Sequence, residues 1–112
     1  MTTPRLNRKL VLEAPQRLDD GAGGYVETWQ ALGSVWAKVT PRSGRETAVS
    51  EVALSTVGYR ITLRSAPEGD IRRPVPEQRF REGARLFHIQ AVVDDDPDGR
   101  YLTCFATEEV AV

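Results

Sequence analysis

The sequence predicts a mainly β fold, a small antiparallel barrel or sandwich of about six strands, and three observations support that prediction. Several short runs alternate apolar and polar residues with the period of two that a half-buried strand shows. Clusters of Gly, Pro and Asp separate these runs and are typical of turns. Strands and long helices do not alternate along the chain as they do in parallel sheets.

The first third of the chain contains three strand candidates. Lys9–Ala14 is the first, and Pro15 is predicted to end it. The acidic, glycine-rich stretch 19–24 predicts a turn, because glycine takes positive φ freely and Asp caps its own backbone. Tyr25–Trp29 and Val35–Val39 follow as two separate strands.

A long connector, residues 40–58, leads from the third candidate to the next strand, Tyr59–Arg64. Connections longer than about 12–15 residues in a compact domain are usually functional or disordered. Within the connector, Glu46–Val57 places its apolar residues on one helical stripe, and Glu46 follows Ser43 at capping-box spacing. Its β-branched residues oppose a helix, so a short helix flanked by loop is favoured and an all-loop connector remains open.

The second half of the chain predicts a loop over 66–77, a short strand around Phe80 and a hairpin. The hairpin pairs Arg85–Val93 with Tyr101–Thr107 across the acidic turn 94–99. Alternation in its first strand places four apolar side chains on one face: Phe87, Ile89, Ala91 and Val93.

Length and composition indicate a single domain over residues 1–112. The hydrophobic fraction of 40% and charged fraction of 28% are typical of a soluble globular protein. No apolar run approaches the roughly 18 residues that cross a bilayer, and no signal peptide is evident, so we expect synthesis in the cytoplasm and no membrane partner. Cys104 is the only cysteine, which excludes an intrachain disulfide.

The charge balance argues against a dedicated duplex-DNA binder, since the formal net charge is −1. All but two of the 15 basic residues are arginine, the exceptions being Lys9 and Lys38. Arginine forms planar, fork-shaped pairs with carboxylates and therefore suits protein–protein interfaces. Codon usage explains the same excess equally well.

Two motifs invite a metal or catalytic interpretation, and neither is complete. Asp94, Asp96, Asp98 and Gly99 match the opening of a calcium loop, but the twelfth position, which needs Glu, is Phe105. A solvated turn is therefore expected there, and no metal site.

The single histidine, His88, and Cys104 lie on neighbouring strands of the predicted hairpin. His88 falls on the polar side of its strand, however, and no third residue is placed to orient it. Gly21–Gly24 lacks the Lys and Ser/Thr of a phosphate loop, and Glu108-Glu109 is expected to be solvated. We therefore expect no enzyme and no cofactor.

Five aromatic residues admit two interpretations. They suit a stacking platform for single-stranded nucleic acid in an OB-like barrel, or core packing and subunit contacts, which is the commoner use. The residues are Tyr25, Trp29, Trp36, Tyr59 and Tyr101.

The order of these features resembles the phage head–tail joining family, the stopper or head-completion proteins of long-tailed phages and gene transfer agents. The resemblance covers nearly the whole chain, and it departs at Ser65, where many relatives carry an aromatic residue. The matching elements are Arg8…Leu10, Asp20 with Gly23-Gly24, Trp29, Val35-Trp36-Ala37, Ser43-Gly44-Arg45-Glu46, Tyr59–Arg64, and Phe87-His88-Ile89 before an acidic turn.

The resemblance implies a small β-barrel that assembles into a closed sixfold or twelvefold ring below the portal and its adaptor, in the virion. Such a ring retains packaged double-stranded DNA, which passes through without sequence-specific binding, and it offers a docking surface to a tail terminator or tail tube protein. A tail terminator or adaptor of the same connector is the alternative within this class. The OB-like nucleic-acid module is the alternative from another class, and a small hydrolase using Cys104 is a third.

The resemblance also implies roles for particular residues. The connector, 41–58 by position, is expected to project toward the channel as a gate. The residues assigned to this gate are Arg42, Ser43, Gly44, Arg45, Glu46 and Glu51. The residues expected at the subunit interface are Trp29, Trp36, Arg60 and Arg64.

Overall fold

The computed structural model describes residues 3–42, 54–94 and 96–111; of residues 54–56 and 109–111 it describes the backbone alone. Within these ranges all regular structure is β-strand. The strands are β1 (Arg8–Asp19), β2 (Tyr25–Pro41), β3 (Leu54–Arg64), β4 (Arg79–Glu82), β5 (Arg85–Val93) and β6 (Tyr101–Ala111). They pair antiparallel in the order β1-β2-β3-β6-β5-β4, and β4 pairs with β1 to close a barrel. The predicted mainly β fold is confirmed.

Two predicted strand boundaries in the first third are wrong. β1 continues through Pro15 to Asp19, because this part of β1 pairs only with β2 and the missing N–H of proline faces no third strand. The two predicted strands over 25–39 are one strand, β2. Leu32 is an extra residue at a bulge, which Gly33 allows with a φ of 144°.

β3 begins five residues earlier than predicted, at Leu54. Leu54–Val57 pairs with the last residues of β6, so this part of the predicted helical segment is strand. The rest of that segment, Glu46–Ala53, lies outside the described residues. The connector between β2 and β3 is therefore 42–53.

The predicted β5–β6 hairpin and the short strand around Phe80 are confirmed. The predicted apolar face of β5 holds only for its first half, Phe87 and Ile89. A bulge at Gln90 shifts the register, so Val92 packs against the core in place of Ala91 and Val93.

The core fills the barrel with the inward side chains of every strand. These are Leu10, Leu12, Ala37, Ile61, Leu63, Phe80, Phe87, Ile89, Leu102, Cys104 and Ala106. Each strand supplies alternate residues to the core and turns the intervening ones to solvent.

Two features extend from opposite ends of the barrel. At one end, β1 and β2 continue as a two-stranded hairpin, residues 14–30, here called the arm; beyond the barrel these residues pair only with each other. At the other end lie the roots of the connector, where Pro41 pairs with Tyr59 and the Arg42 N–H donates to the Gly58 carbonyl at 2.9 Å. The molecule is accordingly elongated, 54 × 37 × 22 Å.

Candidate functional site

One side of the barrel carries five cationic side chains and is here called the basic face: Lys9, Lys38, Arg42, Arg60 and Arg64. Ala37 and Leu63, paired across β2 and β3, point into the core, so the adjoining residues of both strands point outward. All five cationic residues are exposed. The faces of β1, β2 and β3 that turn away from the core thus combine into a single positively charged surface.

The cations of the basic face have no ion-pair partner among the described residues. Most other arginines of the described chain do: Arg8, Arg72, Arg73, Arg79, Arg81, Arg85 and Arg100 each lie within 4.0 Å of a carboxylate. Unpaired guanidinium groups on one face are available to carboxylates or phosphates of a partner.

Aromatic side chains lie among these cations. The guanidinium groups of Arg42 and Arg60 lie 4.8 and 5.6 Å from the centre of the Phe105 ring, within cation–π range. Trp36 is 57% exposed on the same face. Arginine and tryptophan together are the residue types most enriched at the centres of protein interfaces.

A groove of about 230 Å³ lies beside Trp36, and its lining is mostly apolar. Leu6, Val35, Leu63 and Ala66 line it, and Arg64 lies at its edge. The basic face thus adjoins an apolar recess that is large enough for one or two side chains.

Three of the four predicted interface residues come together here: Trp36, Arg60 and Arg64. Trp29 does not join them. Its ring stacks under the Arg79 guanidinium at 3.9 Å and meets His88 edge-on, with ring centres 6.4 Å apart. Trp29 therefore fastens the base of the arm to β4 and β5.

Arg79 also belongs to a buried ion-pair cluster around Glu13. Its Nε donates to one Glu13 oxygen at 2.7 Å, and Arg81 Nε donates to the other at 2.9 Å. Burial raises the pKa of Glu13, but the two guanidinium hydrogen bonds outweigh burial and the net pKa is lowered. The cluster ties β1 to β4, the pair that closes the barrel.

A second cluster fills the barrel mouth below the connector and is here called the mouth cluster: Arg8, Tyr59, Glu82, Arg85 and Glu108. Arg85 donates two hydrogen bonds to Glu108, at 2.8 and 3.0 Å, and the Tyr59 hydroxyl donates a third at 3.1 Å. Arg8 donates to Glu82 at 2.9 Å. Five strands are joined through this cluster.

The prediction that Glu108 is solvated is wrong. It is 8% exposed, and the Arg85 hydrogen bonds lower its pKa against the opposing effect of burial. Sequence reasoning missed it because its partners, Tyr59 and Arg85, come from other strands. The side chain of Glu109 lies outside the described residues.

The structure separates Cys104 from His88, in agreement with the expectation that they form no catalytic pair. Cys104 points into the core opposite Ile61 and Val92, and burial raises the pKa of its thiol to about 12. His88 points outward toward Trp29. The two side chains lie on opposite faces of the sheet, so they form no nucleophile–base pair.

Three carboxylates of the acidic turn accept hydrogen bonds from Arg73 and Arg100. Asp94 accepts from Arg73 at 2.9 Å, Asp96 accepts the Arg100 N–H at 2.7 Å, and Asp98 accepts from the Arg100 side chain at 3.2 Å. Among the residues that the structure describes, Asp95 not being one, no cluster of three ligand-type side chains is arranged to hold a metal ion. The same ranges contain no helix that is long and apolar enough to span a membrane.

The aromatic residues considered for a stacking platform are divided between several places. Tyr59 packs edge-on against the buried ring of Phe87, with centres 5.1 Å apart, while Tyr25 lies near the tip of the arm under Arg17. Of the predicted gate residues, Arg42 lies on the basic face. The others, Ser43, Gly44, Arg45, Glu46 and Glu51, lie outside the described residues.

Comparison with known proteins identifies relatives over nearly the whole length. Residues 1–109 match the family described as phage head completion protein. A chain in the virion of a native gene transfer agent particle is 57% identical, with a TM-score of 0.85 over 98% of this chain and 100% of that one. Protein SF1141 of Shigella flexneri 2a is 20% identical, with a TM-score of 0.67 over 96% of each chain, and shares the fold. No curated protein matches the chain.

Proposed function

The chain belongs to the phage head completion protein family, and from that premise we propose that it is the stopper of a head–tail connector. In this role it forms a ring below the portal and its adaptor in the virion, retains packaged DNA and provides the surface on which the tail docks. The observation that carries the proposal is the 57% identity, over 98% of this chain and 100% of the other, to a component of a gene transfer agent virion.

The coarse role follows directly from membership: this is a structural protein of a phage-like particle. An enzymatic role has no support in the site, because Cys104 is buried away from His88. The ring, the retention of DNA and the contacts with adaptor and tail are the proposed part.

The surface chemistry supports a ring. A subunit in a closed ring needs two different contact surfaces, since head-to-tail interfaces join one patch to another and close by rotation. The protein offers two distinct features of this kind, the basic face with its groove and the arm. They lie at different places on the barrel and differ in charge.

The connector is the proposed gate, on the strength of the family resemblance. Its roots lie at the end of the barrel filled by the mouth cluster, where Pro41 pairs with Tyr59 and Arg42 with Gly58. A rigid, hydrogen-bonded barrel end gives a fixed base from which a connector of 12 residues, 42–53, can project. DNA passing through the ring then meets the connector.

Particles made without this protein test the proposal. We expect heads that package DNA but lose it, and tails that do not join, with both defects restored by supplying the protein. DNA retention is measured as nuclease-resistant DNA per capsid, and joining is counted in negative-stain images. Deficient particles that keep their DNA and carry tails would contradict the stopper role.

The aromatic residues of the basic face favour a second candidate, the nucleic-acid module. Phe105 lies beside the guanidinium groups of Arg42 and Arg60, and aromatic rings among cations are the surface on which proteins bind single-stranded nucleic acid. Salt-dependent binding of a single-stranded oligonucleotide, lost in Phe105→Ala, would support this function. No binding at low salt would remove it.

A further inference from the structure

The arm exposes apolar surface that the barrel does not cover. Leu18 and Val26 pair across its two strands and are 52% and 50% exposed, and Tyr25 is 72% exposed. A two-stranded hairpin alone is marginally stable in water, so a projecting hairpin with an apolar pair gains from packing on another surface. At the rise per residue of a β-strand, the arm reaches about 20 Å beyond Glu13, the last residue of β1 that pairs with β4.

The arm is also acidic. It carries exposed carboxylates at Asp19, Asp20 and Glu27 against one guanidinium, Arg17. Asp20 accepts the N–H groups of Ala22 and Gly24, which holds its pKa below the ordinary value. The tip of the arm is therefore negatively charged at neutral pH.

The basic face and the arm are opposite in charge. The basic face presents cations that have no ion-pair partner among the described residues, and the arm presents carboxylates, of which Asp19 and Glu27 alternate with Leu18 and Val26 and lie on the other face of the hairpin. The basic face also has a groove beside Trp36, where the arm presents Leu18 and Val26. Both features are exposed in the single chain, and they lie at different positions on it. A contact between them is therefore a contact between two copies.

We propose that the arm of one subunit lies on the basic face of the next, with its Leu18–Val26 pair at the groove beside Trp36. This deepens the proposed ring by naming its interface, and it rests on that proposal. The contact is heterologous, so each subunit uses its arm toward one neighbour and its basic face toward the other. Opposite charge orients the approach, and burial of Trp36 and the apolar pair supplies affinity.

Duplex DNA is the competing occupant of the basic face, and the observations favour the second copy. Phosphates would pair with the cations, yet they would leave Trp36 and the apolar groove exposed and the arm uncovered. A second copy accounts for all of these at once. A second copy would also pair with the cations of the basic face, so these cations would not bind the phosphates of DNA that passes through the ring.

Cross-linking of rings docked on a purified portal–adaptor complex tests the interface. The double variant Gln16→Cys/Ser34→Cys is treated with a short bifunctional maleimide. It keeps Leu18, Val26 and Trp36, since Gln16 lies beside Leu18 on the arm and Ser34 lines the groove. Cys104 is buried and does not compete. We expect a ladder of covalent oligomers up to the full ring. The matched control, Gln16→Cys/Val75→Cys, uses an exposed apolar residue outside the basic face and is expected to give no covalent oligomers.

The outcomes separate the interface from the function. A ring that forms without a ladder leaves the stopper role standing and overturns the interface. Equal ladders in variant and control overturn it as well. Absence of any ring on the portal–adaptor complex contradicts the proposed function itself. A duplex oligonucleotide that binds the basic face and blocks the ladder would assign that face to DNA.

A mixing experiment tests the head-to-tail direction. Leu18→Ser/Val26→Ser damages only the arm, and Trp36→Ala/Arg64→Glu damages only the basic face. All four residues are exposed, so both variants are expected to fold, which circular dichroism checks. Each variant alone should bind the portal–adaptor complex with an affinity that is lower by a factor of about ten or more.

In a mixture of the two, the basic-face variant contributes an intact arm and the arm variant contributes an intact basic face. With a cysteine at position 16 of the basic-face variant and at position 34 of the arm variant, the mixture should cross-link to dimers and no further. Dimers from either variant alone would contradict the proposed pairing, and so would longer ladders from the mixture.

Discussion

Two buried carboxylates, Glu13 and Glu108, tie together strands that are distant in sequence. Glu13 joins β1 to β4 through Arg79 and Arg81, and Glu108 joins β6 to β5 and β3 through Arg85 and Tyr59. A buried charge is tolerated only when its hydrogen bonds are made, so each arginine is as necessary as its carboxylate.

Glu108→Gln is expected to destabilise the protein by about 2 kcal/mol, because one oxygen becomes an NH₂ that faces the Arg85 guanidinium. Urea unfolding measures the change. Glu27→Gln, at an exposed position on the arm, is the control and should alter stability by less than about 0.5 kcal/mol. Equal effects from the two substitutions would mean that the mouth cluster does not hold the barrel.

Stability should fall in acid, and these carboxylates should account for part of the loss. The pKa values of Glu13, Glu82 and Glu108 are lowered in the folded protein relative to 4.5. Their stabilisation is therefore complete above pH 4.5 and is lost as pH falls through the lower folded values. The difference in unfolding free energy between pH 7 and pH 3 should be smaller in Glu13→Gln than in the wild type. An unchanged difference would contradict this assignment.

Alternation of apolar and polar residues predicted most of the strands, but it could not predict features that depend on how the strands pair. Tyr59–Arg64 and Arg85–Val93 were placed from their period of two. From the sequence alone Pro15 predicts a strand end; only the pairing of the strands shows that it faces no third strand and can lie within β1. The bulge at Gln90 moved Val92 into the core for the same reason: an extra residue is visible only against the partner strand.

The candidate site, too, could be predicted from the sequence only in part. Trp36, Arg60 and Arg64 were predicted at an interface and share one face, since strand alternation and register place them there. Trp29 was assigned with them but stacks on Arg79, from a strand about 50 residues further along. The mouth cluster was missed entirely, because no local pattern marks a charge that a distant arginine will neutralise.

The connector is expected to be dispensable for folding and necessary for function. We predict that replacing residues 43–53 with a four-residue Gly/Ser linker leaves a barrel whose circular dichroism and melting temperature are close to wild type. The core and both ion-pair clusters, as far as the structure describes them, are built from residues outside this segment. Particles carrying the variant should leak DNA, measured as nuclease-sensitive DNA. Loss of folding would make the segment part of the core.

At the scale of the whole molecule, the barrel presents two unlike surfaces, the arm and the basic face, and the roots of the connector lie at the end opposite the arm. We propose that these two surfaces join subunits head to tail. Such an assembly closes into a ring when the rotation between neighbours is a full turn divided by a whole number. The near-neutral net charge of −1 conceals a separation of charge between the acidic arm and the basic face.

The most direct measurement of the central claim is electron microscopy of the purified protein mixed with its portal–adaptor complex. The account predicts a closed ring of the protein on the adaptor, coaxial with the channel and with the arm of each subunit on the basic face of its neighbour. A portal–adaptor complex that remains bare at saturating protein, with the protein monomeric beside it, would contradict the stopper role.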